Sequence, residues 1–394
     1  MRYVRTGLIS GALAALLTAV PASADALPPV AQQLTGQQAC ARAGRAATGS
    51  PPWQLAALGA DRDAGLSQGA SVTVGLLDTG VRTGTPQLAG RVVDGPRLLP
   101  AAPAGQDCVG HGTFIASLIS GAAGKGFTGL APATRLYALA VTDAAGNTAP
   151  DVIAAGINRA VAAGARIVLV SVVTPQPAAV LRAAVQRAIA AGALVVAPAM
   201  ADGQTQQAPV YPAAYPGVLA VAASGKDSTM PAGPAQGAPV DLVAPGDSVV
   251  GPGVSGGDFT GTGASYAAAY VAATAALIDS YRGAMSPEAL THRLETTAVH
   301  PGTRMPDPGA GYGLVDPYAA MTTLLPEEGD GLVPSATPPF SVRKHALTVP
   351  PPPRTTSQTA GLAVGAAGLV LVALVAVSAV VLPRGRRRNW RPGT

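Results

Sequence analysis

A chain of 394 residues has room for two ordinary domains or for one large α/β domain with tails. Only 12 % of its residues are charged, whereas ordinary soluble domains carry roughly a quarter. The 48 % that are hydrophobic include few aromatics, which suits a buried parallel sheet packed with small side chains. The net charge of +5 comes largely from arginines near the C-terminus, and no basic patch interleaved with aromatics occurs elsewhere. Composition therefore argues against a nucleic-acid partner.

The N-terminal residues 1–24 have the pattern of a secretory signal peptide. Arg2 and Arg5 precede an apolar run at 8–20, and Ala22-Ser23-Ala24 forms an A-x-A cleavage site. An uncleaved membrane anchor is the alternative, but the apolar run is short for a bilayer span. The sequence therefore predicts export, and the remaining chain is expected to lie outside the cytoplasm.

Residues 25–60 are rich in Pro, Gln and Ala, and we predict an irregular extension that wraps the following domain. The two cysteines of the chain are Cys40 in this extension and Cys108. In an exported chain, one even pair most simply forms a disulfide. Such a bridge stabilises by about 3–4 kcal/mol in the loop-entropy model. A metal or catalytic thiol is the alternative, but no C-x-x-C spacing occurs.

Residues 61–325 alternate between apolar runs of strand length and Ala-rich helical stretches, a pattern typical of βαβ units. Continuous apolar strands indicate burial on both faces, so an α/β fold with a mostly parallel sheet flanked by helices is predicted. The predicted strands are 72–77, 136–141, 167–173, 194–197, 218–222 and 240–243. The predicted helices are 151–163, 178–191, 265–281 and one opened by Ser286-Pro287 as cap and first-turn proline.

The C-terminal part is predicted to be a stalk, a membrane anchor and a short tail. Residues 326–359 contain four consecutive prolines, which favours a semi-rigid stalk. Residues 360–382 are uncharged and long enough to span a bilayer, and the arginines of 383–394 place the tail in the cytoplasm. A sortase signal would need an LPxTG-like motif before the apolar run, and none is there. We therefore expect a single-pass protein of the cell membrane with an extracytoplasmic domain.

Three segments carry candidate catalytic residues. Asp78 ends a buried strand and precedes a glycine turn, where an aspartate alone is more often a turn or cap residue. His111 stands between two glycines at a predicted helix start, which leaves its imidazole accessible. Ser265 follows the glycine-rich loop Gly261-Thr262-Gly263 and opens a buried helix, so it is either a helix cap or a nucleophile facing a developing oxyanion.

The order Asp78, His111, Ser265 along the chain is that of the subtilisin triad. In this interpretation the Ser265 hydroxyl attacks a peptide carbonyl and His111 takes its proton. Asp78 holds the imidazole in the useful tautomer and stabilises its positive charge.

These segments resemble the Asp, His and Ser blocks of the subtilase family over about residues 53–320. The blocks Asp241-Leu242-Val243-Ala244-Pro245-Gly246 and Gly311-Tyr312-Gly313-Leu314-Val315-Asp316 agree with that family. Together with the signal peptide, the anchor and the cysteine pair, the chain is similar to mycosins, the subtilases attached to actinobacterial type VII secretion systems. The resemblance implies a subtilisin-like fold, a peptide or protein substrate and a type VII secretion membrane complex as partner. No cofactor and no metal are implied.

Two departures from the family pattern bear on catalysis. Subtilases usually carry an asparagine after the strand 194–197 that donates to the oxyanion, and Ala201 stands where it is expected. Losing one such donor costs about 10²–10³-fold in turnover. In Ser171-Val172-Val173, where an extended substrate would pair with the strand edge, the family commonly has glycine at the third position. A valine side chain there is expected to crowd the substrate.

The sequence is therefore compatible with two functions. The first is a membrane-anchored, extracytoplasmic serine endopeptidase associated with type VII secretion, with activity weakened by the altered oxyanion hole. The second is a catalytically impaired pseudoprotease that acts as a structural component of the secretion complex. A soluble digestive subtilisin is a third class, and it predicts release into the medium.

Overall fold

The computed structural model describes residues 52–99, 105–123, 127–203, 208–226, 239–254, 256–300, 305–328 and Arg384. The predicted signal peptide, Cys40, most of the stalk and the predicted span 360–382 lie outside these residues. Within the described ranges, no helix is both long enough and apolar enough to cross a bilayer. The membrane anchor and the cleavage site thus stay predictions.

A seven-stranded, wholly parallel sheet forms the centre of the domain, in the order β2-β3-β1-β4-β5-β6-β7. The central strands are buried on both faces, as their continuous apolar sequences predict. The strands are β1 Thr73–Asp78, β2 Val92–Asp94, β3 Arg135–Ala140, β4 Ile167–Val170, β5 Leu194–Pro198, β6 Val218–Ser224 and β7 Leu242–Pro245; a separate antiparallel hairpin joins β8 Val249–Pro252 and β9 Asp258–Gly261.

Helices cover both faces of the sheet. On one face α4 and α5 pack against residues such as Leu77 and Val168. On the other face α3 and α6 pack against Val74 and Leu76, because successive side chains of β1 point to opposite sides. The helices are α1 Trp53–Ala57, α2 Ala60–Asp63, α3 His111–Ser120, α4 Pro150–Ala162, α5 Ala179–Ala190, α6 Ala264–Arg282, α7 Pro287–Thr296 and α8 Pro317–Thr322.

The α6 helix is buried from Ala264 to Asp279 and runs through the core. Its alanines let the backbone approach the sheet closely, which explains why the sequence is small on nearly every side. The α7 helix begins as predicted: Ser286 Oγ accepts the Ala289 N–H at 3.2 Å, and Pro287 occupies the first turn.

The structure corrects the sequence prediction in three places. The strand expected over 167–173 ends at Val170, because Ser171 turns its hydroxyl toward the end of β1 and Thr174 pairs with Tyr211 instead. The described end of the extension predicted to be irregular is helical, since it contains α1. The short strand β2 and the hairpin β8–β9 were not predicted.

A buried carboxyl in α2 makes the stability of the domain sensitive to pH. Asp63 is 1 % exposed, and neither carboxyl oxygen has a hydrogen-bond partner. Burial raises its pKa to about 7, with Arg62 opposing the shift and Asp316 adding to it. The folded-state pKa lies above the unfolded value, so the native state holds one more proton between about pH 4 and 7. The free energy of unfolding should therefore fall as pH rises through this window.

We expect Asp63→Asn to flatten this dependence, since the isosteric amide carries no charge to bury. At pH 8 the variant should be more stable than the parent chain by about 4 kcal/mol, since a shift of about three pKa units is fully expressed there, and at pH 4 the two should be nearly equal. Urea unfolding between pH 4 and 8 measures the difference. The control is Asp61→Asn in the same helix, where the side chain is exposed. A pH dependence that Asp63→Asn leaves unchanged would contradict the expectation.

Candidate active site

The candidate catalytic residues gather at the carboxyl ends of the parallel strands, where open α/β sheets bind their ligands. Asp78 is the last residue of β1 and is fully buried. His111 begins α3, and Ser265 lies in the first turn of α6. The structure brings these three predicted residues together although 154 positions separate His111 from Ser265.

Their side chains form one hydrogen-bonded chain. Ser265 Oγ lies 3.0 Å from His111 Nε2. On the other side of the ring, His111 Nδ1 lies 2.8 and 2.9 Å from the two carboxyl oxygens of Asp78. This is the arrangement in which a base is oriented by a carboxylate and faces a hydroxyl nucleophile.

The start of α3 is held close to Asp78 by a glycine. A Cβ at Gly112 would lie 2.1 Å from the Gly80 carbonyl oxygen and 3.0 Å from Asp78 Cβ and Oδ1. Only a residue without a side chain lets α3 begin this near the end of β1. Gly110 before the helix has φ of 94°, a left-handed conformation that glycine adopts without strain. The two glycines beside His111 therefore allow the chain to place its imidazole next to Asp78.

A second buried aspartate, which the sequence analysis did not identify, fixes the loop before α3. Asp107 Oδ1 accepts the Gly110 N–H at 2.8 Å and the Thr79 hydroxyl at 2.9 Å. Its Oδ2 accepts the N–H and the hydroxyl of Thr113 at 2.9 and 2.8 Å. The signal was present in the sequence, because an aspartate shortly before a helix start is a common capping residue.

Ser171 supports Asp78 rather than continuing the strand. Its hydroxyl hydrogen-bonds Asp78 Oδ2 and lies 2.8 Å from the Leu77 carbonyl oxygen. The Thr79 N–H also donates to Asp78 Oδ1, at 2.6 Å. Burial alone would raise the pKa of Asp78, but the charge and hydrogen bond of His111, together with these donors, outweigh it and hold the pKa below its usual value.

The acidic neighbours of His111 favour its protonated form. Burial alone would lower its pKa, but the negative charge of Asp78 and the hydrogen bonds that the ring donates to Asp202 and Asp78 raise it to about 10. Its ring also lies 5.2 Å from the ring of Tyr266. His111 acts as a base toward Ser265 in its neutral form, so these acidic neighbours oppose activation of the serine.

The predicted substrate and oxyanion positions line one cleft of about 230 Å³ beside the triad. Ser171, Val172, Val173 and Ala201 lie on its wall together with His111 and Asp202. The side chain that reaches Ser265 is that of Asp202, not that of Ala201. The sequence signal was an aspartate directly before a glycine in the loop that follows β5.

Of the predicted Cys40–Cys108 bridge, the structure describes Cys108 but not Cys40. Cys108 lies in the loop before His111 and is not a free thiol, whereas Cys40 lies outside the described residues. The pairing stays a prediction. Within the described ranges, no group of three or more His, Cys, Asp or Glu side chains is placed to hold a metal ion.

The subtilase family model matches residues 69–313. Subtilisin BL of Lederbergia lenta is 34 % identical over 276 residues, which cover 69 % of this chain and 98 % of that protein. Mycosin-1 of Mycobacterium tuberculosis is 30 % identical and covers 88 % of this chain and 91 % of its own length. The solved structure of MycP1, described as an essential component of the type VII (ESX-1) secretion system, is 27 % identical with a TM-score of 0.63, covering 75 % of this chain and 96 % of that one. The chain therefore belongs to the subtilase family of serine proteases and is a homologue of Mycosin-1.

Proposed function

We propose that this chain is a membrane-anchored, extracytoplasmic serine endopeptidase that works with a type VII secretion complex. One observation carries the catalytic part: Ser265 Oγ lies 3.0 Å from His111 Nε2, and Asp78 lies 2.8 Å behind Nδ1. A hydroxyl, a base and a buried orienting carboxylate in this order perform acyl transfer to a serine. The substrate is a peptide or protein segment that lies extended along Ser171–Val173.

The location and the partner rest on sequence and relatives. The signal-peptide pattern of 1–24, the apolar stretch 360–382 and the arginines that follow support an anchored protein whose main body faces outward. Homology to Mycosin-1 and likeness to MycP1 support association with type VII secretion. In a membrane fractionation of the native host, the chain should sediment with membranes and be absent from the medium.

We also propose the Cys40–Cys108 disulfide, which would tie the N-terminal extension beside His111. Two observations support it: Cys108 is not a free thiol, and the chain has two cysteines in all. In such a bridged protein, proteolytic removal of part of the extension would leave the segment around Cys40 attached. Non-reducing mass mapping of the oxidised protein identifies the linked peptides.

Reaction of Ser265 with a fluorophosphonate probe tests the catalytic proposal. The purified full chain should be labelled, and Ser265→Ala should not be, because an activated serine oxygen displaces fluoride from the probe and forms a phosphonate ester. The matched control is Ser117→Ala in α3, a buried serine whose hydroxyl bonds the Thr113 carbonyl at 2.9 Å and lies outside the triad. Absence of Ser265-dependent labelling at every pH would overturn the peptidase proposal.

A structural role without catalysis is the second candidate, and one observation favours it. The Ser265 N–H, which should face a substrate oxyanion, is already donated to the carboxyl of Asp202 at 3.0 Å. In a strain lacking the gene, full rescue of type VII secretion by Ser265→Ala would support this candidate. Rescue by the parent chain alone would support the peptidase.

A further inference from the structure

The carboxyl of Asp202 covers the nucleophile on the side from which a substrate carbonyl group would approach. Its Oδ1 accepts the Ser265 N–H at 3.0 Å, and its Oδ2 accepts the Ser265 hydroxyl. The same Oδ2 lies 3.3 Å from His111 Nε2, and the side chain is 9 % exposed. Because the backbone N–H of the nucleophile is a donor that a developing oxyanion needs, a substrate can react only after this carboxyl has moved away.

The loop before Ser265 has space for this carboxyl because it contains a glycine. A Cβ at Gly263 would overlap Oδ1 and Cγ of Asp202. The φ of Gly263 is 161°, an extended value that any residue adopts, so the glycine is needed here for space and not for conformation. The position of Asp202 over the nucleophile is therefore supported by two segments, the loop after β5 and the loop before α6.

The cleft beside the triad offers hydrogen-bond acceptors to a substrate side chain. Among the described residues of its wall, His111 and Asp202 are the two that carry an ionisable side chain. Thr142 also lies on this wall; it is 1 % exposed, and its hydroxyl has no hydrogen-bond partner within the part of the chain that the structure describes. Buried polar groups are normally paired, and a donor on a bound side chain would supply the missing partner. The cleft therefore suits a substrate side chain rich in donors.

A cation on the substrate can replace the partners that Asp202 must give up. In the resting site its carboxylate accepts the N–H and the hydroxyl of Ser265 and pairs with His111. An aliphatic substrate side chain offers no donor in exchange for these contacts. A lysine ammonium or an arginine guanidinium carries several N–H donors, and its hydrogen bonds to a carboxylate are stronger than those between neutral groups. Moving Asp202 away from Ser265 should therefore cost much less free energy with a basic substrate.

We propose that Asp202 determines the specificity of this protease: it blocks Ser265 until a lysine or arginine side chain beside the scissile bond draws the carboxylate away. This inference rests on the proposed peptidase function and deepens it by naming the substrate class. Asp202 acts throughout as a charged hydrogen-bond acceptor. Its departure frees the Ser265 N–H for the substrate carbonyl oxygen and leaves the Ser265 hydroxyl to His111 alone.

The same movement favours the form of His111 that activates the serine. Burial lowers the pKa of His111, but Asp78 and Asp202 together raise it to about 10. When Asp202 turns to the substrate cation, its share of this influence is lost, and the imidazole gives up its proton more readily. A basic substrate thus removes two obstacles, the carboxyl that covers Ser265 and part of the charge that keeps His111 protonated.

Two peptide aminocoumarin amides that differ in one side chain test the inference on the parent chain. Both consist of alanines and one last residue, lysine or norleucine, so the scissile bond is fixed and the two side chains share the same carbon chain. The kcat/KM of the lysine amide should exceed that of the norleucine amide by about 10²-fold, because hydrogen bonds to charged groups replace those that Asp202 gives up. An amide ending in glutamate should react more slowly than the norleucine amide, since its charge repels Asp202.

Asp202→Ala and Asp202→Glu are the matched variants. Alanine removes the carboxyl, so the ratio of the two kcat/KM values should fall to about one, chiefly because the norleucine amide reacts faster. Glutamate keeps the charge, and the ratio should stay well above one. Because both amides are measured on the same chain, any effect of the substitution on the triad itself cancels from the ratio.

The outcomes separate this inference from the peptidase function. Equal kcat/KM for the two amides on the parent chain, with cleavage that Ser265→Ala abolishes, would overturn the inference and leave the peptidase intact. So would a lysine preference that persists in Asp202→Ala, or a norleucine rate that this variant does not raise. Labelling of Ser265 by the fluorophosphonate without cleavage of either amide would overturn the assigned substrate class. If neither labelling nor cleavage occurs, the peptidase function fails, and the inference fails with it.

Discussion

Asp78→Asn is expected to lower kcat by about 10⁴-fold, the loss known for this exchange in a Ser-His-Asp triad. The carboxyl of Asp78 is fully buried and accepts bonds from His111 Nδ1, Ser171 and Thr79. An amide of the same shape cannot accept on both of its ends. If its NH₂ group faces Nδ1, the imidazole must carry its proton on Nε2, where it cannot receive the Ser265 proton. The ring would also lose the carboxylate that stabilises its charge.

The experiment measures kcat and KM on a peptide substrate, and thermal unfolding checks that the variant is folded. Asp107→Asn is the matched control, because Asp107 is an equally buried aspartate nearby whose bonds go to Thr79, Gly110 and Thr113. We expect this control to lose stability, since unpaired buried donors cost about 1–3 kcal/mol, and to lose far less kcat than Asp78→Asn. A value of kcat for Asp78→Asn close to that of the parent chain would contradict the assignment of the triad.

Arg293→Ala is expected to destabilise the domain by about 2–4 kcal/mol, because it empties a buried site and leaves buried carbonyl groups without their donor. Arg293 in α7 is 0 % exposed. Its guanidinium donates to the Ala320 and Thr323 carbonyl oxygens at 2.9 and 3.0 Å and pairs with Glu328. Because alanine offers no donor, both carbonyl groups and the carboxylate would lose this partner where α7 meets the C-terminal end of the domain.

Arg282→Ala is the matched control for this prediction, since Arg282 in α6 bonds a similar set of groups. It donates to the Met321 and Thr323 carbonyl oxygens at 2.7 and 2.8 Å, and it lies 3.2 Å from Glu328. Its side chain is 19 % exposed, so water can reach the groups that it leaves. We expect a loss of about 1 kcal/mol by urea unfolding. Equal losses of unfolding free energy for the two variants would contradict the view that burial of the arginine sets the size of the loss.

Much of the fold could be predicted because the strands are buried on both faces. Uninterrupted apolar runs such as Leu136–Val141 and Leu194–Ala197 leave few alternatives to a parallel sheet. The observed β3 is shifted by one residue from the predicted run, and β5 is one residue longer. The hairpin β8–β9 was missed, since Val249–Pro252 contains glycine and proline, and its pairing depends on a partner further along the chain.

The end of β4 shows why a strand boundary is harder to predict than a strand. Ser171, Val172 and Val173 continue an apolar pattern, but the ladder stops at Val170. The reason lies in another strand: β1 ends in Asp78, and Ser171 turns to hydrogen-bond it. No local pattern carries that information.

The sequence by itself determined the α/β class and the three candidate residues Asp78, His111 and Ser265, and it predicts the export and anchor signals. Their types, glycine surroundings and order are local features that can be read along the chain. Only the tertiary structure decided what faces Ser265. Ala201 stands where the family's asparagine is expected, yet the Asp202 carboxyl reaches the nucleophile, because β5 ends beside the start of α6 and Gly263 leaves space for it. Which of two neighbouring side chains enters a site depends on where each side chain points and on how much space surrounds it. Only the tertiary structure sets both.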